Sequence, residues 1–152
     1  MTHRGKLVIV RGLPGSGKSS LARAISHPSC HWEADMYFCR TFDEFGNEDG
    51  YDGPYMFDPS RLADAHAWCL AMTESFMDNT NNMVVVSNTF SRLWEMKPYL
   101  DLAERKRWAV SVIKVVGSHG SIHSVPVETI ARMRDGWEHF PGEITVETCG
   151  LG

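Results

Sequence analysis

The stretch that decides the fold is Lys6–Ser26, which reads KLVIVRGLPGSGKSSLARAIS. It begins with a run rich in β-branched residues, which predicts a buried strand over Lys6–Val10. Residues 12–19 then match the pattern G-x-x-x-x-G-K-[ST] in full. Residues 19–26 have the apolar spacing of a helix, which Pro28 is expected to end. The predicted unit is therefore a strand, a glycine-rich turn and a helix.

The glycine-rich turn has the chemistry of a phosphate-binding loop. Glycines let the chain wrap so that backbone N–H groups point inward, and the helix N-terminus adds positive dipole at the same place. Lys18 is expected to contact the β- and γ-phosphates of a nucleoside triphosphate, and the Ser19 hydroxyl to ligate Mg²⁺. The motif alone does not separate kinases from other NTPases. The predicted nucleotide-binding residues are Gly12, Leu13, Pro14, Gly15, Ser16, Gly17, Lys18, Ser19 and Ser20.

Length and composition predict one globular domain over residues 1–152, with 43% apolar and 22% charged residues. The longest unbroken apolar runs are Leu7–Val10 and Met83–Val86, far short of the ~20 residues of a membrane helix. We expect no signal peptide at the N-terminus.

The net charge of −4 argues against strong non-specific binding of duplex nucleic acid. None of the four cysteines forms a Cys-x-x-Cys pair, so we expect reduced thiols in a cytoplasmic protein.

Strand and helix patterns alternate along the rest of the chain, which predicts an α/β fold with a mainly parallel sheet. Residues 36–58 are predicted to form a loop. The other predicted strands are Cys30–Glu33, Met83–Val86, Trp108–Val116 and Thr145–Val146, and the other predicted helices are one from Pro59 with Asp58 as its cap, Leu93–Arg107 and Pro126–Glu138.

Polar residues follow two of the predicted strands. In a parallel sheet, ligands bind beyond the carboxyl ends of the strands, which would bring Asp35 near a γ-phosphate. A carboxylate there can accept the proton of an attacking hydroxyl or help to hold a metal; the alternative is an acid that caps a helix or lies in a loop. Ser87 and Asn88 stand where many P-loop proteins have a metal-linked Asp. They either hydrogen-bond a water or substrate, or simply form the turn.

Five segments, in this order, cover most of the chain from Val8 to Glu138: GLPGSGKSS, EADMYF, YMFDPSRLADAHAWC, VVVSNTFSRLWEMKPYLDLA and IHSVPVETIARMRDGWE. This series resembles the P-loop polynucleotide 5′-hydroxyl kinases, close to small phage-type ATP-binding kinases of the AAA and zeta-toxin-like group. The resemblance implies a three-layer α/β/α fold with a shortened lid. It also implies a kinase that transfers the γ-phosphate of ATP, with Mg²⁺, to a hydroxyl of a single-stranded nucleic acid end or nucleotide, in the host cytoplasm if the protein is phage-encoded.

The resemblance assigns roles to individual residues. It implies that Lys18 acts in catalysis, and that Asp35 is the general base and, with Ser19, holds the metal. Asn88 and Thr89 would lie near the acceptor.

Arginines are the part of the pattern in which this chain departs from the family. The family has an arginine that grips the acceptor phosphate at the position of Phe38; here Arg40 stands two residues further on, and we expect Arg40 and Arg92 to contact the substrate. The family's lid carries arginines, but residues 116–123 contain none. We therefore predict that Arg132 stabilises the transferring phosphoryl group, with Arg92 as the other donor. The alternative is that the helix arginines are solvated or pair with neighbouring acids.

Seven aromatic residues in the predicted loop have two interpretations. They can stack an unpaired base, or they can cover the edge of the sheet, which we expect for Tyr37 and Phe57. Interleaved acids would repel a long phosphate backbone and favour a short strand end, a nucleotide or a modified base. The seven are Tyr37, Phe38, Phe42, Phe45, Tyr51, Tyr55 and Phe57.

Two other functions compete with the polynucleotide kinase. One is a kinase for hydroxymethyl-pyrimidine bases in phage DNA, whose target base would be flipped out of the duplex. The other is a nucleotide-binding module with little catalysis. The sequence leaves the acceptor and the oligomeric state open.

Overall fold

A parallel five-stranded sheet forms the centre of the computed structural model, which describes residues 2–27, 30–120 and 124–149. The strand order is β2-β5-β1-β6-β7, and every neighbouring pair is parallel. The prediction of an α/β fold with a mainly parallel sheet is therefore confirmed. The strands are β1 (Lys6–Arg11), β2 (His31–Trp32), β5 (Met83–Asn88), β6 (Ala109–Val116) and β7 (Ile144–Glu147).

Helices cover both faces of this sheet. Along β1, Leu7 and Ile9 belong to one buried cluster, whereas Val8 and Val10 belong to another, because successive side chains of a strand point to opposite faces. Ala22 of the first helix joins the second cluster, and residues of the second and third helices join the first. The three-layer arrangement follows from this division. The helices are α1 (Lys18–Ile25), α2 (Leu62–Asp78), α3 (Leu93–Lys106) and α4 (Val127–Asp135).

Several boundaries differ from the sequence prediction. Residues 36–58 contain structure that local patterns did not indicate: a 3-10 helix at Ala34–Cys39 and a hairpin of β3 (Thr41–Phe42) and β4 (Glu48–Gly50). The last helix, α4, ends at Asp135 rather than near Glu138, whose N–H donates to Ser91 instead of continuing the helix. Pro28 lies outside the described residues, and α1 ends before it.

Arg11 ties the end of β1 to the chain near the C-terminus. Its side chain is fully buried, and its Nη1 lies 2.9 Å from Glu143 Oε2. The same guanidinium donates to the carbonyl oxygen of Phe90 and lies 4.2 Å from the ring of Trp137. A buried cation requires such complete pairing. These contacts hold Trp137 and Glu143 beside the end of β1.

A short 3-10 turn, Pro59–Arg61, leads into α2, and Asp58 caps it as predicted. Asp58 Oδ1 accepts a hydrogen bond of 3.0 Å from the Ser60 N–H. We expect Asp58→Ala to lower Tm by about 3 °C, because the freed N–H loses its partner. Thermal unfolding followed by circular dichroism checks this. Asp58→Asn is the control, since Asn caps equally well; a Tm loss as large as that of Ala would contradict the cap.

None of the helices in the described ranges is long and apolar enough to cross a membrane. No disulfide bond joins the four cysteines, all of which lie in the described part of the chain.

Candidate functional site

A cleft of about 1840 Å³ opens at the carboxyl ends of the parallel strands. Loops after all five strands contribute to its lining, as expected for a ligand site in a parallel sheet. The contributing segments include Pro14–Gly15 and Gly17–Ser20 after β1, Glu33–Asp35 after β2, the end of β5 with Thr89, Ser118–Gly120 after β6, and Thr148–Cys149 after β7.

The phosphate-binding loop lies on the inner side of this cleft. Gly15 and Gly17 have φ values of 82° and 94°, which side chains rarely tolerate. A Cβ at Gly15 would also lie 2.7 Å from the carbonyl oxygen of Gly120. Gly17 immediately precedes α1, so the loop delivers the helix N-terminus to the cleft. This is the geometry that binds phosphate groups.

Three of the predicted nucleotide-binding residues do not line the cleft. Ser16 is 1% exposed, and its carbonyl oxygen accepts a hydrogen bond of 2.7 Å from Thr148 Oγ1. Gly12 lies behind the loop, where a Cβ would approach Ser16 Oγ to 2.5 Å. Leu13 is the third. Pro14, Gly15, Gly17, Lys18, Ser19 and Ser20 do line it. Gly12 and Ser16 are therefore buried behind the cleft surface and shape the loop, whereas Leu13 is half-buried.

Lys18 begins α1 and lines the cleft together with two carboxylates. Burial lowers the pKa of its amine, and the charges of Glu33 and Asp35 oppose that shift. Desolvation of the ammonium therefore outweighs the attraction of these two carboxylates. The negative charge of a bound triphosphate would favour the charged amine.

Glu33 makes a contact that sequence reasoning missed. Its Oε2 accepts hydrogen bonds from Ser19 Oγ at 2.7 Å and from Ser87 Oγ at 2.9 Å. Because the Ser87 hydroxyl donates to Glu33, it accepts from His31 Nε2, 2.7 Å away. Burial lowers the pKa of His31, which favours the neutral ring. The one sequence signal for Glu33 was its place directly after β2.

Oxygen donors for a metal ion are present at the same place. No group of three or more His, Cys, Asp and Glu side chains is arranged to hold a metal within the described ranges. Mg²⁺, however, is usually bound through one or two carboxylates together with the phosphates of its nucleotide. The Ser19 hydroxyl beside Glu33, with Asp35 also lining the cleft, fits that kind of site.

Asp35 lies in the 3-10 helix after β2 and lines the cleft as predicted. Its Oδ1 accepts a hydrogen bond of 3.2 Å from the Tyr55 hydroxyl. Burial and the neighbouring Asp35 charge both raise the pKa of Tyr55, so the phenol stays protonated and can donate. Tyr55 therefore holds the Asp35 carboxylate in one orientation. The general-base role of Asp35 stays a prediction.

Asn88 has a structural role that the sequence did not indicate. Its Oδ1 accepts a hydrogen bond of 2.8 Å from the Ala34 N–H, and its Nδ2 lies 3.7 Å from Cys69 Sγ. These contacts join the end of β5 to the segment that carries Asp35. Thr89 lines the cleft beside it. The expected acceptor contact of Asn88 stays a prediction, with its amide already engaged in these bonds.

Arg40 is directed into the aromatic loop and is not among the residues that line the cleft. Its Nε donates to the Tyr37 carbonyl oxygen at 2.9 Å, and its guanidinium lies 3.7 Å from the Tyr37 ring. Glu48 pairs with it at 3.3 Å. These contacts hold Arg40 against the aromatic loop, and its substrate role stays a prediction.

The other predicted arginines also lie outside the cleft lining. The Arg92 guanidinium packs against the turn after α4, since a Cβ at Gly136 would lie 3.1 Å from its Nη2. Arg132 is exposed and donates to Thr129 Oγ1 at 3.4 Å. Among the described residues, Arg23 is the arginine that does line the cleft. The catalytic role of Arg132 stays a prediction.

The aromatic residues of the segment 36–58 were expected either to cover the edge of the sheet or to stack an unpaired base. Tyr37 is buried, as expected. Phe57 packs edge-on against the buried Phe38 ring, but it is 50% exposed and lines the cleft. Trp94, at the start of α3, also lines the cleft and is 72% exposed. Sequence reasoning had assigned it no role. The outer part of the cleft therefore presents two accessible rings.

This sheet order, with a phosphate-binding loop between the central strand and the first helix, defines a P-loop kinase fold. A family model described as "AAA domain" matches residues 7–135. The chain belongs to this AAA domain family, whose P-loop supports ATP binding.

Three comparisons place this chain among similar proteins. Human NEDD4-binding protein 2 is 31% identical in an alignment of 146 residues that covers 88% of this chain but 8% of that protein. A chain of the Pnkp1/Rnl/Hen1 RNA repair complex matches with a TM-score of 0.52 and 20% identity, over 93% of this chain and 42% of that one. A gluconokinase from Sinorhizobium meliloti 1021 matches with a TM-score of 0.56 and 18% identity, over 96% and 84%. The two structural matches show the fold alone.

Proposed function

We propose that the protein is an ATP- and Mg²⁺-dependent phosphotransferase that acts on a hydroxyl of a single-stranded nucleic acid end or a nucleotide. One observation carries the proposal. A single cleft holds the phosphate-binding loop and Asp35 on its inner side and two accessible aromatic rings on its outer side. The cleft thus combines the parts needed to bind ATP, remove a proton and hold a base.

The proposed reaction assigns a step to each residue. The acceptor oxygen forms a bond to the γ-phosphorus as the bond to the bridging oxygen breaks and ADP leaves. Asp35 takes the hydroxyl proton, and Tyr55 orients its carboxylate through the 3.2 Å hydrogen bond. Lys18 and the helix N-terminus stabilise charge on the phosphate oxygens. Mg²⁺, held by Ser19 with carboxylates, would neutralise charge on the same phosphates.

The outer wall of the cleft favours a nucleobase over a sugar acid such as gluconate. Phe57 and Trp94 offer stacking faces, and Leu62, Leu70 and Pro98 add apolar surface. Stacking on aromatic rings stabilises unpaired bases by ~1–3 kcal/mol each.

The decisive experiment incubates the protein with γ-labelled ATP and a panel of acceptors. The panel holds 5′-hydroxyl DNA and RNA oligonucleotides, nucleosides, hydroxymethyl-pyrimidine DNA and gluconate. We expect label on 5′-hydroxyl oligonucleotides or nucleosides. Label on hydroxymethyl bases or gluconate alone would contradict the acceptor class. ATP binding without transfer to any acceptor would favour the nucleotide-binding module.

Trp94→Ala is expected to raise the acceptor KM about 10-fold and leave kcat and the KM for ATP nearly unchanged, because one stacking face is lost. Steady-state kinetics with a 5′-hydroxyl acceptor measure both constants. Phe45→Ala is the matched control: Phe45 is 80% exposed and is not among the residues lining the cleft. An unchanged acceptor KM in Trp94→Ala would show that the ring does not contact the acceptor.

A further inference from the structure

We infer that Glu33 supplies the carboxylate of the metal site that accompanies ATP, in place of an acid at the end of β5. The inference rests on the proposed ATP–Mg²⁺ function and adds a residue to it. P-loop NTPases hold Mg²⁺ with the Ser or Thr of the loop and with an Asp from a strand end. This chain has the loop hydroxyl, Ser19, but a different arrangement of acids.

The neighbouring strand end carries no acid here. β5 pairs in parallel with β1, and its last residues, Ser87 and Asn88, lie opposite Val10 and Arg11. Both are buried and uncharged, and the Asn88 amide is bonded to the Ala34 N–H. A carboxylate for the metal site must therefore come from an element other than β5.

Glu33 meets that requirement from the next strand along the sheet. β2 pairs with β5 so that Trp32 lies opposite Val86, which places Glu33 beside Ser87. Strands are spaced about 4.8 Å apart, so an acid on β2 must reach further than one on β5. The longer Glu side chain does so, because its Oε2 lies 2.7 Å from Ser19 Oγ.

The Glu33 carboxylate is also held in place by a hydrogen bond from β5, the strand whose end carries no acid. Ser87 Oγ donates to the same Oε2 at 2.9 Å, and His31 Nε2 in turn lies 2.7 Å from Ser87 Oγ. Hydroxyl groups of α1 and β5 thus donate to the same oxygen of Glu33, and His31 of β2 supports the hydroxyl from β5. A merely solvated acid would not receive two hydroxyl donors in a site that is 17% exposed.

Glu33→Gln tests this directly, since it removes the charge and keeps the shape. Thermal stabilisation of the protein by ATP is measured in EDTA and in a Mg²⁺ titration. Wild type is expected to gain stability with Mg²⁺. The variant should keep the stabilisation seen in EDTA but need ~10–100-fold more Mg²⁺ for its half-maximal gain. Glu44→Gln, an exposed acid in the β3–β4 hairpin, is the matched control.

A second variant moves the charge instead of removing it. Glu33→Gln combined with Ser87→Asp returns the acid to the end of β5, and we expect it to restore the Mg²⁺ dependence at least in part. The same Mg²⁺ half-maximum in Glu33→Gln and wild type would overturn the inference while leaving the proposed function intact. A wild-type protein that ATP stabilises equally in EDTA and in Mg²⁺ would contradict the proposed function itself.

Discussion

Lys18→Ala is expected to abolish the stabilisation of the protein by ATP with Mg²⁺. Ligand at 100 times its Kd stabilises a protein by about 2.7 kcal/mol, and we expect a gain near zero in the variant. The reason is that Lys18 is the cation of the phosphate-binding loop, and burial lowers the pKa of its amine despite the opposing charges of Glu33 and Asp35. Thermal unfolding with and without ATP measures the difference.

The ligand-free variant should be at least as stable as wild type. Because the folded state lowers the pKa of Lys18, the charged amine opposes folding below that pKa. Removing it should therefore stabilise the ligand-free protein at neutral pH, and the gain should shrink as the pH rises through the folded pKa. Lys97→Ala is the control, since Lys97 is an exposed residue of α3 paired with Asp101. Equal ATP stabilisation in Lys18→Ala and wild type would contradict the role of Lys18.

Asp35→Asn is expected to lower the rate of phosphoryl transfer by ~10²-fold or more while ATP binding survives. Asn is nearly isosteric and can still accept the hydrogen bond from Tyr55, so the fold and the cleft should persist. Single-turnover transfer at saturating ATP, with an acceptor identified in the panel, measures the chemical step.

A control variant tests whether the loss of a different carboxylate charge also slows phosphoryl transfer. Asp52→Asn removes an exposed acid that is not among the residues lining the cleft and should transfer at the wild-type rate. If Asp35→Asn also transferred at that rate, the base would have to be another group. A slow variant whose Mg²⁺ half-maximum for ATP stabilisation also shifts would assign Asp35 to the metal as well as to the proton.

Local patterns were sufficient for the strand, loop and helix that bind phosphate. The strand predicted over Lys6–Val10 spans Lys6–Arg11, and the helix predicted over 19–26 spans Lys18–Ile25. The strand and the helix each depend on side chains that lie within a few positions of one another, so the sequence alone shows the pattern. Asp35 was predictable too, because the carboxyl ends of parallel strands converge on one edge of the sheet.

Only the tertiary structure decided which other polar groups reach the cleft. Glu33 bonds to Ser19 across 14 positions of the chain and to Ser87 across 54, and both contacts require that β2 lies next to β5. The same holds for Arg11, whose partner Glu143 is 132 positions away. Arg40, Arg92 and Arg132 carry positive charge, but none of the three is among the residues that line the cleft in this structure. The sequence determined which chemical groups were available, whereas strand order and packing determined where each one points.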